Sequence, residues 1–263
     1  MTIRNTARIC VATVTRNRPV MLRSLLQSYE ELKVPAGATV DFVIVENDAQ
    51  CSLDAVVANF AANAAGSVAY LVETEIGIAA ARNRALEHAL ANDYDFLAFA
   101  DDDEWVEPDW LVQLLEEAGA RHLDIVGAPV RIAAPDALLS LRARIVLKGV
   151  RQINERAEQR CIRLRAEGRD QAIKIATGSW LGRLDFFRRT GLRFDRMLGL
   201  AGGEDWQLWQ EAQRLGARTG WTPHAMAYET TPLSRLTLHY FYRRNRDHSR
   251  QMSMRVHALT GNR

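Results

Sequence analysis

The stretch FLAFADDDEW, residues 96–105, places three consecutive aspartates directly behind an apolar run. A short apolar run bounded by charged residues is typical of a strand that is buried on both faces. Along an extended backbone, side chains two residues apart share a face, so Asp101 and Asp103 are predicted to point one way and Asp102 the other. Two neighbouring carboxylates repel each other, and one of them is expected to be protonated unless a cation intervenes.

A hard divalent ion such as Mg²⁺ or Mn²⁺ would remove this conflict, because it is held mainly by a substrate's phosphates and needs one or two protein carboxylates. The alternative is an acidic turn that caps the following helix, with Glu107 and Pro108 at its start. A calcium loop of the EF-hand type is excluded, because the run that begins at Asp101 lacks the required glycine and glutamate.

Short apolar runs alternate along the chain with segments that have apolar residues at helical spacing. The predicted strands are Ile9–Val14, Val40–Val45, Val68–Val72 and Phe96–Ala100, and the predicted helices between them are Pro19–Leu32, Val56–Ala65 and Ile78–Leu90. This alternation predicts an α/β fold with a mainly parallel sheet that is flanked by helices and binds ligands at the carboxyl ends of its strands. A softer boundary falls near residues 124–135, after which a long charged and helical stretch follows.

Composition argues against several classes of protein. A net charge of +2 disfavours a nucleic-acid-binding protein that relies on overall positive charge. The cysteines are odd in number and widely spaced, as expected for a reduced, cytoplasmic protein without a disulfide framework. No segment approaches the roughly 20 apolar residues of a membrane-spanning helix. Neither a GxGxxG after the first strand nor a P-loop motif occurs, so both of these phosphate-binding fingerprints are absent.

Five motifs follow one another along the chain: VIVEND (43–48), GIAAARNRAL (77–86), FADDDEW (99–105), TGSW (177–180) and RFDRMLGLAGGEDWQLWQEAQRLG (193–216). In this combination the sequence resembles the family-two glycosyltransferases of GT-A fold, in particular their bacterial envelope and exopolysaccharide branch. The resemblance covers about residues 8–245. It implies one continuous domain with a nucleotide-sugar-binding half, 1–123, and an acceptor-binding half, 124–263, that ends in a basic and aromatic segment.

By this resemblance, the nucleotide-binding residues are Thr13, Thr15, Glu46, Asp48, Arg82, Asn83, Asp101 and Asp102. Glu46 stands where the family usually has an aspartate that reads the base, so the base is not assigned from this position, and a UDP-sugar is the favoured donor. A guanidinium at Arg82 suits a diphosphate or a base edge. The alternative for Arg82 and Asn83 is an exposed helix face.

The resemblance also implies a metal site that holds Mg²⁺ or Mn²⁺ through Asp101, Asp103 and Glu229. Asp103 is expected to be the most direct ligand. Many family members carry a histidine where Glu229 stands, and a carboxylate is also a competent ligand for these ions. The alternative is an ion pair between Glu229 and Arg235 across the intervening turn.

Inverting transfer of a sugar needs a base that takes the proton of the acceptor hydroxyl. By resemblance this base is Asp205 of the GGED motif, while Glu204 binds the acceptor or orients the loop. The acceptor-binding residues are expected to be Trp180, Gly203 and Glu204. Two structural alternatives stand beside these roles. In the first, Glu204 and Asp205 only cap a helix that is predicted over residues 206–215. In the second, Trp180, which stands where relatives often have asparagine, belongs to the core and not to the acceptor site.

The stretch Leu138–Arg169 carries nine Lys or Arg residues and three Glu. Leu138, Leu141 and Ile145 share helical spacing, which indicates a basic amphipathic helix. Such a helix could rest peripherally on an anionic membrane or hold a lipid-diphosphate acceptor. The alternative is a solvated charged face. A second basic and aromatic cluster, residues 239–250, has the same two interpretations.

The sequence therefore predicts a metal-dependent, inverting glycosyltransferase that moves a sugar from a nucleoside-diphosphate sugar to the hydroxyl of a sugar or lipid-linked sugar acceptor. One alternative is a sugar-phosphate nucleotidyltransferase, which would usually carry a glycine-rich phosphate loop where TVTRNRP stands, residues 13–19. The other is a non-catalytic carbohydrate- or lipid-binding module on the same fold. The presence of both the DxD and the GGED motifs argues against this second alternative.

Overall fold

The computed structural model describes residues 6–135, 138–176, 178–198 and 203–241. Its strands are β1 Ala7–Thr15, β2 Ala38–Glu46, β3 Val68–Val72, β4 Phe96–Ala100, β5 Glu104–Val106, β6 Ile125–Gly127, β7 Val130–Ile132, β8 Ser179–Arg183, β9 Thr219–Trp221 and β10 Ala227–Glu229. Its α-helices are α1 Pro19–Glu30, α2 Asp54–Ala61, α3 Ile78–Ala91, α4 Trp110–Ala120, α5 Leu141–Ala166, α6 Leu184–Thr190 and α7 Glu204–Arg214. Short 3₁₀ helices lie at Asp170–Ala172, Arg196–Leu198 and Leu233–Arg235.

The main sheet has the strand order β3-β2-β1-β4-β8-β6-β9. The first four strands are parallel, β8 runs antiparallel to both of its neighbours, and β9 is parallel to β6. Because β1, β2 and β4 are parallel neighbours in register, their carboxyl ends meet at one edge of the sheet. The predicted α/β fold with a mainly parallel sheet is confirmed. Strands from both sides of residue 123 pair in this sheet, and the division into two functional halves stays a prediction.

The apolar run FLAFA of β4 is buried along its whole length because both faces of the sheet are covered. Phe96, Ala98 and Ala100 pack into one core cluster, together with apolar side chains of α1, α2 and α4. Leu97 and Phe99 point to the other face and pack with α3, α6 and α7. The period of two along a strand therefore distributes consecutive residues between two cores.

A second, three-stranded sheet has the order β5-β10-β7. Its strand β5 begins directly after the three aspartates, and Trp105 of β5 stacks on Tyr228 of β10 with ring centroids 4.1 Å apart. The N–H group of Thr230, just after β10, donates to the carbonyl of Asp103 at 2.7 Å. This small sheet thus connects the acidic turn to the second half of the chain.

The four predicted strands and the three predicted helices are confirmed, and the largest shift of a boundary is at α2, which ends at Ala61 rather than Ala65. The basic helix is also confirmed as α5, but it begins at Leu141, where the side chain of Ser140 accepts a hydrogen bond from the Ala143 N–H and caps the helix. Leu138 therefore lies before the helix. The prediction that the aspartates could directly cap the next helix is wrong, because β5 separates them from α4.

Candidate active site

A cleft of about 400 Å³ opens at the carboxyl edge of β1, β2 and β4. Ligand sites of open α/β sheets form at this edge, because the loops that follow parallel strands converge there. The lining comes from the end of β1 and the loop after it, from the residue after β2, from the first turns of α3 and from the acidic turn. Five residues predicted for donor or metal binding are among them: Thr15, Arg82, Asp101, Asp102 and Asp103.

The three aspartates form a turn and not an extended segment, because the N–H group of Glu104 donates to the carbonyl of Asp101 at 3.0 Å. Arg18 consequently reaches two neighbouring carboxylates. Its Nη1 lies 2.8 Å from Asp102 Oδ1 and 3.3 Å from Asp103 Oδ2. The prediction that Asp102 points away from Asp103 is wrong, since the alternation of side-chain faces holds for strands and not for turns.

Negative charge is crowded at this turn. Burial raises the pKa of the Asp103 carboxyl, and repulsion by Asp101 raises it further. Burial also raises the pKa of Asp102, although Arg18 acts in the opposite direction. Behind the turn, burial together with the charges of Asp101 and Asp103 raises the pKa of Glu104 well above its ordinary value. A cation at the turn would therefore be stabilised by carboxylates that the protein alone does not fully neutralise.

The donor set of the turn fits Mg²⁺ or Mn²⁺. Within the ranges that the structure describes, no group of three His, Cys, Asp or Glu side chains is already arranged to hold a metal ion. The ligands that the turn offers are carboxylate oxygens, which are the donors these hard ions prefer, and one or two suffice when phosphates supply the others. The repulsion between Asp101 and Asp103 is the conflict that such an ion would relieve.

Glu229 and Arg235 both lie beside the acidic turn. Glu229 of β10 pairs in register with Glu104 of β5, and its charge contributes to the raised pKa of Glu104. The Nη1 atom of Arg235 lies 3.6 Å from Asp103 Oδ2. Arg235 therefore joins Arg18 in compensating the charge of Asp103. The two hypotheses for Glu229, a metal ligand or a partner of Arg235, stay predictions.

The two threonines of β1 have different positions. Thr15 lines the cleft, and its Oγ1 donates to Asp102 Oδ2 at 2.7 Å. Thr13 is fully buried beneath the cleft, where its hydroxyl shares a hydrogen bond with Tyr29 and donates to the carbonyl of Ala100. Thr13 thus supports the floor of the cleft, whereas Thr15 can contact a ligand.

Glu46 is completely buried and does not line the cleft. Its carboxylate accepts hydrogen bonds from the N–H and hydroxyl groups of Ser52 and from the hydroxyl of Tyr70. The next residue, Asn47, lines the cleft instead. Asp48 accepts a hydrogen bond from the N–H of Ala49, and it is also absent from the lining. In this structure Glu46 therefore shapes the loop after β2, and Asn47 is the residue of this loop that faces the cleft.

Arg82 joins two parts of the site that are far apart in the sequence. Its Nη2 lies 2.7 Å from Asp101 Oδ1 on the acidic turn, and its Nη1 lies 2.5 Å from Glu204 Oε1 at the start of α7. Burial alone would lower the pKa of Arg82, but the carboxylates of Asp101 and Glu204 raise it. The Nε atom of Arg82 and the Oε2 atom of Glu204 are buried, and each lacks a hydrogen-bond partner among the described residues.

The hypothesis that Arg82 and Asn83 form an exposed helix face is wrong, since their exposed fractions are 4% and 2%. The side chain of Asn83 donates to the carbonyl of Phe194 at 2.8 Å and accepts from its N–H at 2.9 Å. Asn83 therefore holds the segment that leads towards the GGED motif. Its predicted contact with the nucleotide has no support from this position.

Gly203 directly precedes α7 as its N-cap residue, and its φ of +85° lies in the left-handed region that favours glycine. Of the two acids that follow, Glu204 is held by Arg82, and its side chain is 7% exposed. The side chain of Asp205 is 20% exposed, with Oδ1 2.7 Å from the Trp206 N–H and 3.9 Å from Lys174 Nζ. Both acids lie in the first turn of the helix, as the capping hypothesis expects.

Trp180 lies in the core, with 1% of its surface exposed. Its ring stacks on Phe99 at 5.7 Å between centroids and also contacts Phe187. The prediction that Trp180 contacts the acceptor is therefore corrected in favour of the core alternative. Gly178 in the same motif has a different importance, because a Cβ atom there would lie 2.4 Å from the carboxylate of Glu104. Thr177 of this motif lies outside the described residues.

Sequence reasoning missed several residues of the cleft, and the polar ones among them are Arg16, Arg18 and Asn47. A sequence signal existed for Arg18, since it follows the first predicted strand closely and loops after parallel strands form the ligand edge of such sheets. Asn47 connects the ends of β2 and β3: its side chain accepts from the N–H of Gly77 and donates to two carbonyls after β3. These contacts depend on loops that are distant in the sequence, so the motif alone could not show them.

The mainly parallel sheet, the acidic turn after β4 and the acids at the start of α7 define an α/β fold of GT-A type. The sequence model described as Glycosyl transferase family 2 matches residues 10–164, more than half of the chain. The chain therefore belongs to glycosyl transferase family 2. The family that the five motifs predicted is confirmed.

Among curated proteins, the chain is similar to the succinoglycan biosynthesis protein ExoM of Rhizobium meliloti. The two are 28% identical over 261 residues, which cover 97% of this chain and 78% of that protein. A relative with a role in succinoglycan biosynthesis agrees with the exopolysaccharide branch that the motifs indicated.

Two solved structures show the same fold. S. aureus TarS in complex with UDP superimposes with a TM-score of 0.61 and 16% identity, over 87% of this chain and 64% of that chain. The mannosyltransferase PcManGT from Pyrobaculum calidifontis, in complex with GDP-Man and Mn²⁺, gives a TM-score of 0.63 and 19% identity, over 86% and 58%. The chain thus spans less than two thirds of these solved chains. At these identities the likeness concerns the fold alone.

Proposed function

We propose that this protein is an inverting glycosyltransferase that transfers a sugar from a nucleoside-diphosphate sugar, a UDP-sugar in the first place, to a hydroxyl acceptor with the help of Mg²⁺ or Mn²⁺. The observation that carries the proposal is the double contact of Arg82. It brings Asp101, which lines the cleft, and Glu204, beside the predicted base, to the two terminal nitrogens of one guanidinium.

The donor would lie in the cleft at the ends of β1, β2 and β4. Thr15, Asn47 and Asp102 line this cleft and would face the nucleoside, while Arg16 and Arg18 are lining cations that could approach a diphosphate. Glu46 would contribute indirectly, by fixing the loop that presents Asn47. The solved relatives bind UDP and GDP-Man, which supports a nucleoside-diphosphate sugar as the class of donor.

Asp101 and Asp103 would hold the metal ion, with Glu229 as a further ligand. When bound, the ion would neutralise charge on the departing diphosphate. The crowded carboxylates of the turn support this role, and the Mn²⁺ in the PcManGT complex agrees with it.

Asp205 is the better candidate for the base of the two acids. A base must reach the acceptor hydroxyl, and Asp205 is the more exposed side chain, whereas Glu204 is held by Arg82. In the proposed reaction, Asp205 takes the hydroxyl proton and the oxygen attacks the anomeric carbon. The bond from that carbon to the diphosphate oxygen breaks on the opposite side, and this displacement requires no covalent intermediate. Glu204 then orients the start of α7.

The acceptor is proposed to be a sugar or a lipid-linked sugar in the synthesis of an envelope polysaccharide or exopolysaccharide, as the similarity to a succinoglycan biosynthesis protein supports. A lipid-linked acceptor would place the protein in the cytoplasm, peripherally at the inner face of the membrane. Membership of glycosyl transferase family 2 favours transfer of a sugar over the nucleotidyltransferase alternative.

The test begins with a thermal-shift screen of nucleotide sugars, each with and without Mn²⁺. A donor that raises the melting temperature only together with the ion would identify the base and the cofactor. With this donor, Asp103→Asn is expected to lose the metal-dependent binding that calorimetry measures. Asp205→Asn is expected to keep donor binding but to lower the rate of sugar transfer to an acceptor, measured as acceptor-dependent release of the nucleoside diphosphate, by about 10²-fold or more.

Asp185→Asn serves as the matched control, because Asp185 is an exposed acid on α6 whose partner is the exposed Arg189. It should change neither binding nor turnover. Unchanged metal-dependent affinity in Asp103→Asn would refute the role of the acidic turn. Near-normal turnover in Asp205→Asn would exclude this residue as the base.

A further inference from the structure

The helix α5 turns a positively charged face away from the protein. Five exposed cations lie on the side of the helix opposite its packed side: Arg142, Lys148, Arg156, Arg160 and Arg163. The two acids of the helix lie elsewhere. Glu158 packs inward, where Arg131 of β7 donates two hydrogen bonds to it, and Glu155 lies at the edge of the positive face.

One inward cation of this helix is compensated by the rest of the protein. Arg165 forms an ion pair with Glu117 and donates to the carbonyl of Trp221 at 2.7 Å. Within the part of the chain that the structure describes, none of the five outward cations forms an ion pair. Their charge is therefore available to an external anionic surface.

Large apolar side chains stand among these cations. Leu141, Ile145 and Ile153 are 74%, 62% and 68% exposed, and Leu138 just before the helix is 97% exposed. Ile145 follows Leu141 by one helical turn, so the two side chains are neighbours on the surface. Single exposed apolar residues need no explanation, but a basic and apolar stripe along one helix is typical of helices that lie in a membrane interface. We use the name outer face of α5 for the five exposed cations together with Leu138, Leu141, Ile145 and Ile153.

We infer that the outer face of α5 docks the protein flat onto an anionic lipid bilayer. The five cations complement lipid phosphate groups, and the leucine and isoleucine side chains enter the boundary between headgroups and acyl chains. With 26 residues, α5 is about 39 Å long, which allows several contacts with one surface. None of the helices in the described ranges has the length and hydropathy that crossing a bilayer requires.

Charge complementarity favours an anionic bilayer over other partners for the outer face of α5. The outer face of a second copy carries the same positive charge and would be repelled. Residues 242–263 of the chain contain six arginines and one aspartate, so this segment also repels the helix. A nucleic acid would match the charge, but it would leave the exposed Leu141, Ile145 and Ile153 without a role.

The small sheet connects this face to the cleft. Asn154 of α5 donates to the carbonyl of Val130 in β7 at 2.9 Å, and β7 pairs with β10, which is followed by the contact between Thr230 and Asp103. Docking would therefore hold the cleft in a defined orientation to the bilayer. The use of that orientation for a lipid-linked acceptor rests on the proposed function, whereas the docking itself does not.

The first test measures co-sedimentation of the purified chain with vesicles of phosphatidylcholine, alone or with about one third phosphatidylglycerol. Binding to the anionic vesicles is expected to be at least about 10²-fold stronger and to fall at high salt. The triple variant Lys148→Gln/Arg156→Gln/Arg160→Gln should weaken it about 10²-fold, since each cation near an anionic surface contributes roughly five-fold.

The matched control is Arg84→Gln/Arg189→Gln/Arg214→Gln, which removes the same charge from exposed positions on α3, α6 and α7. It should change binding less than about three-fold, because the proposal assigns the contact with the bilayer to α5 and these cations lie on other helices. Equal losses in the two triple variants would overturn the assignment to α5 and leave a non-specific effect of net charge. Equal binding of the wild type to neutral and anionic vesicles would overturn it as well.

The second test separates a bilayer from other polyanions. Leu141→Gln/Ile145→Gln should weaken vesicle binding about ten-fold or more, because both side chains lose their apolar contact with lipid. If this variant binds vesicles as the wild type does, and the wild type binds polyuridylate equally well, the face is a polyanion site and the proposal fails. Donor binding in the thermal-shift screen is recorded for every variant. A chain that binds vesicles but no nucleotide sugar would refute the proposed function and leave the docking intact.

Discussion

Replacement of Arg82 by methionine removes the contact that joins the acidic turn to α7. Methionine keeps an unbranched side chain with good helix propensity, and its thioether can still contact Phe194, which lies under the guanidinium at 5.9 Å. The substitution therefore isolates the loss of the positive charge between Asp101 and Glu204. We expect a marked loss of stability together with weaker donor binding.

The magnitude follows from the exposure of the two carboxylates. Glu204 is 7% exposed, and removing one partner of a buried ion pair costs about 3–5 kcal/mol, because a buried charge is left uncompensated. Asp101 is 36% exposed, so water screens it, and its pair adds at most about 1 kcal/mol. A loss of about 3–5 kcal/mol corresponds to a melting temperature lowered by roughly 10 °C in a protein of this size.

Urea unfolding followed by circular dichroism measures this change. Arg84→Met is the matched control, since Arg84 lies two residues further on the same helix and is exposed, and it should cost less than about 0.5 kcal/mol. The double variant Arg82→Met/Glu204→Gln should recover most of the stability, because no unpaired charge remains at α7. A loss below about 1 kcal/mol in Arg82→Met, or strictly additive effects in the double variant, would refute the reasoning.

Three further outcomes are expected. Gly178→Ala should destabilise the protein by about 1–3 kcal/mol in urea unfolding and weaken Mn²⁺-dependent nucleotide binding, because the new methyl group meets the buried carboxylate of Glu104 at 2.4 Å. Glu229→Gln should raise the Mn²⁺ concentration for half-maximal activity, whereas Arg235→Ala should lower it by removing a cation 3.6 Å from a proposed ligand. Equal metal requirements in wild type and Glu229→Gln would exclude the ligand role. Trp180→Ala should cost about 3–5 kcal/mol of stability, as expected for a core residue, and a stable variant with a changed acceptor preference would contradict this.

The elements of the first 100 residues could be predicted because their signals are local. A strand that is buried on both faces must be apolar throughout, as FLAFA is, and a helix on the sheet repeats its apolar positions with the period of the helix. The chain after residue 100 offered weaker signals. Its strands β5, β6, β7, β9 and β10 have three residues each, which is too short for a recognisable period.

In the candidate active site, too, some features could be predicted from local sequence signals and others could not. The motifs correctly located the acidic turn in the cleft and the two acids at the start of α7, because a motif marks where a strand or helix ends. They misplaced Trp180, and they put a contact on Glu46 that the neighbouring Asn47 is positioned to make. A shift of one residue at a strand end reverses the direction of the side chain, so sequence position alone could not decide between these two.

By itself, the sequence determined that this protein has alternating strands and helices, a parallel sheet and an acidic turn behind a buried strand. The tertiary structure alone decided which charges compensate one another. Arg18 reaches Asp102 across 84 positions of the sequence, and Arg82 reaches Glu204 across 122. Local patterns follow from the geometry of a few consecutive residues. The partner of a buried charge depends instead on which distant segments pack together, and no short stretch of sequence carries that information.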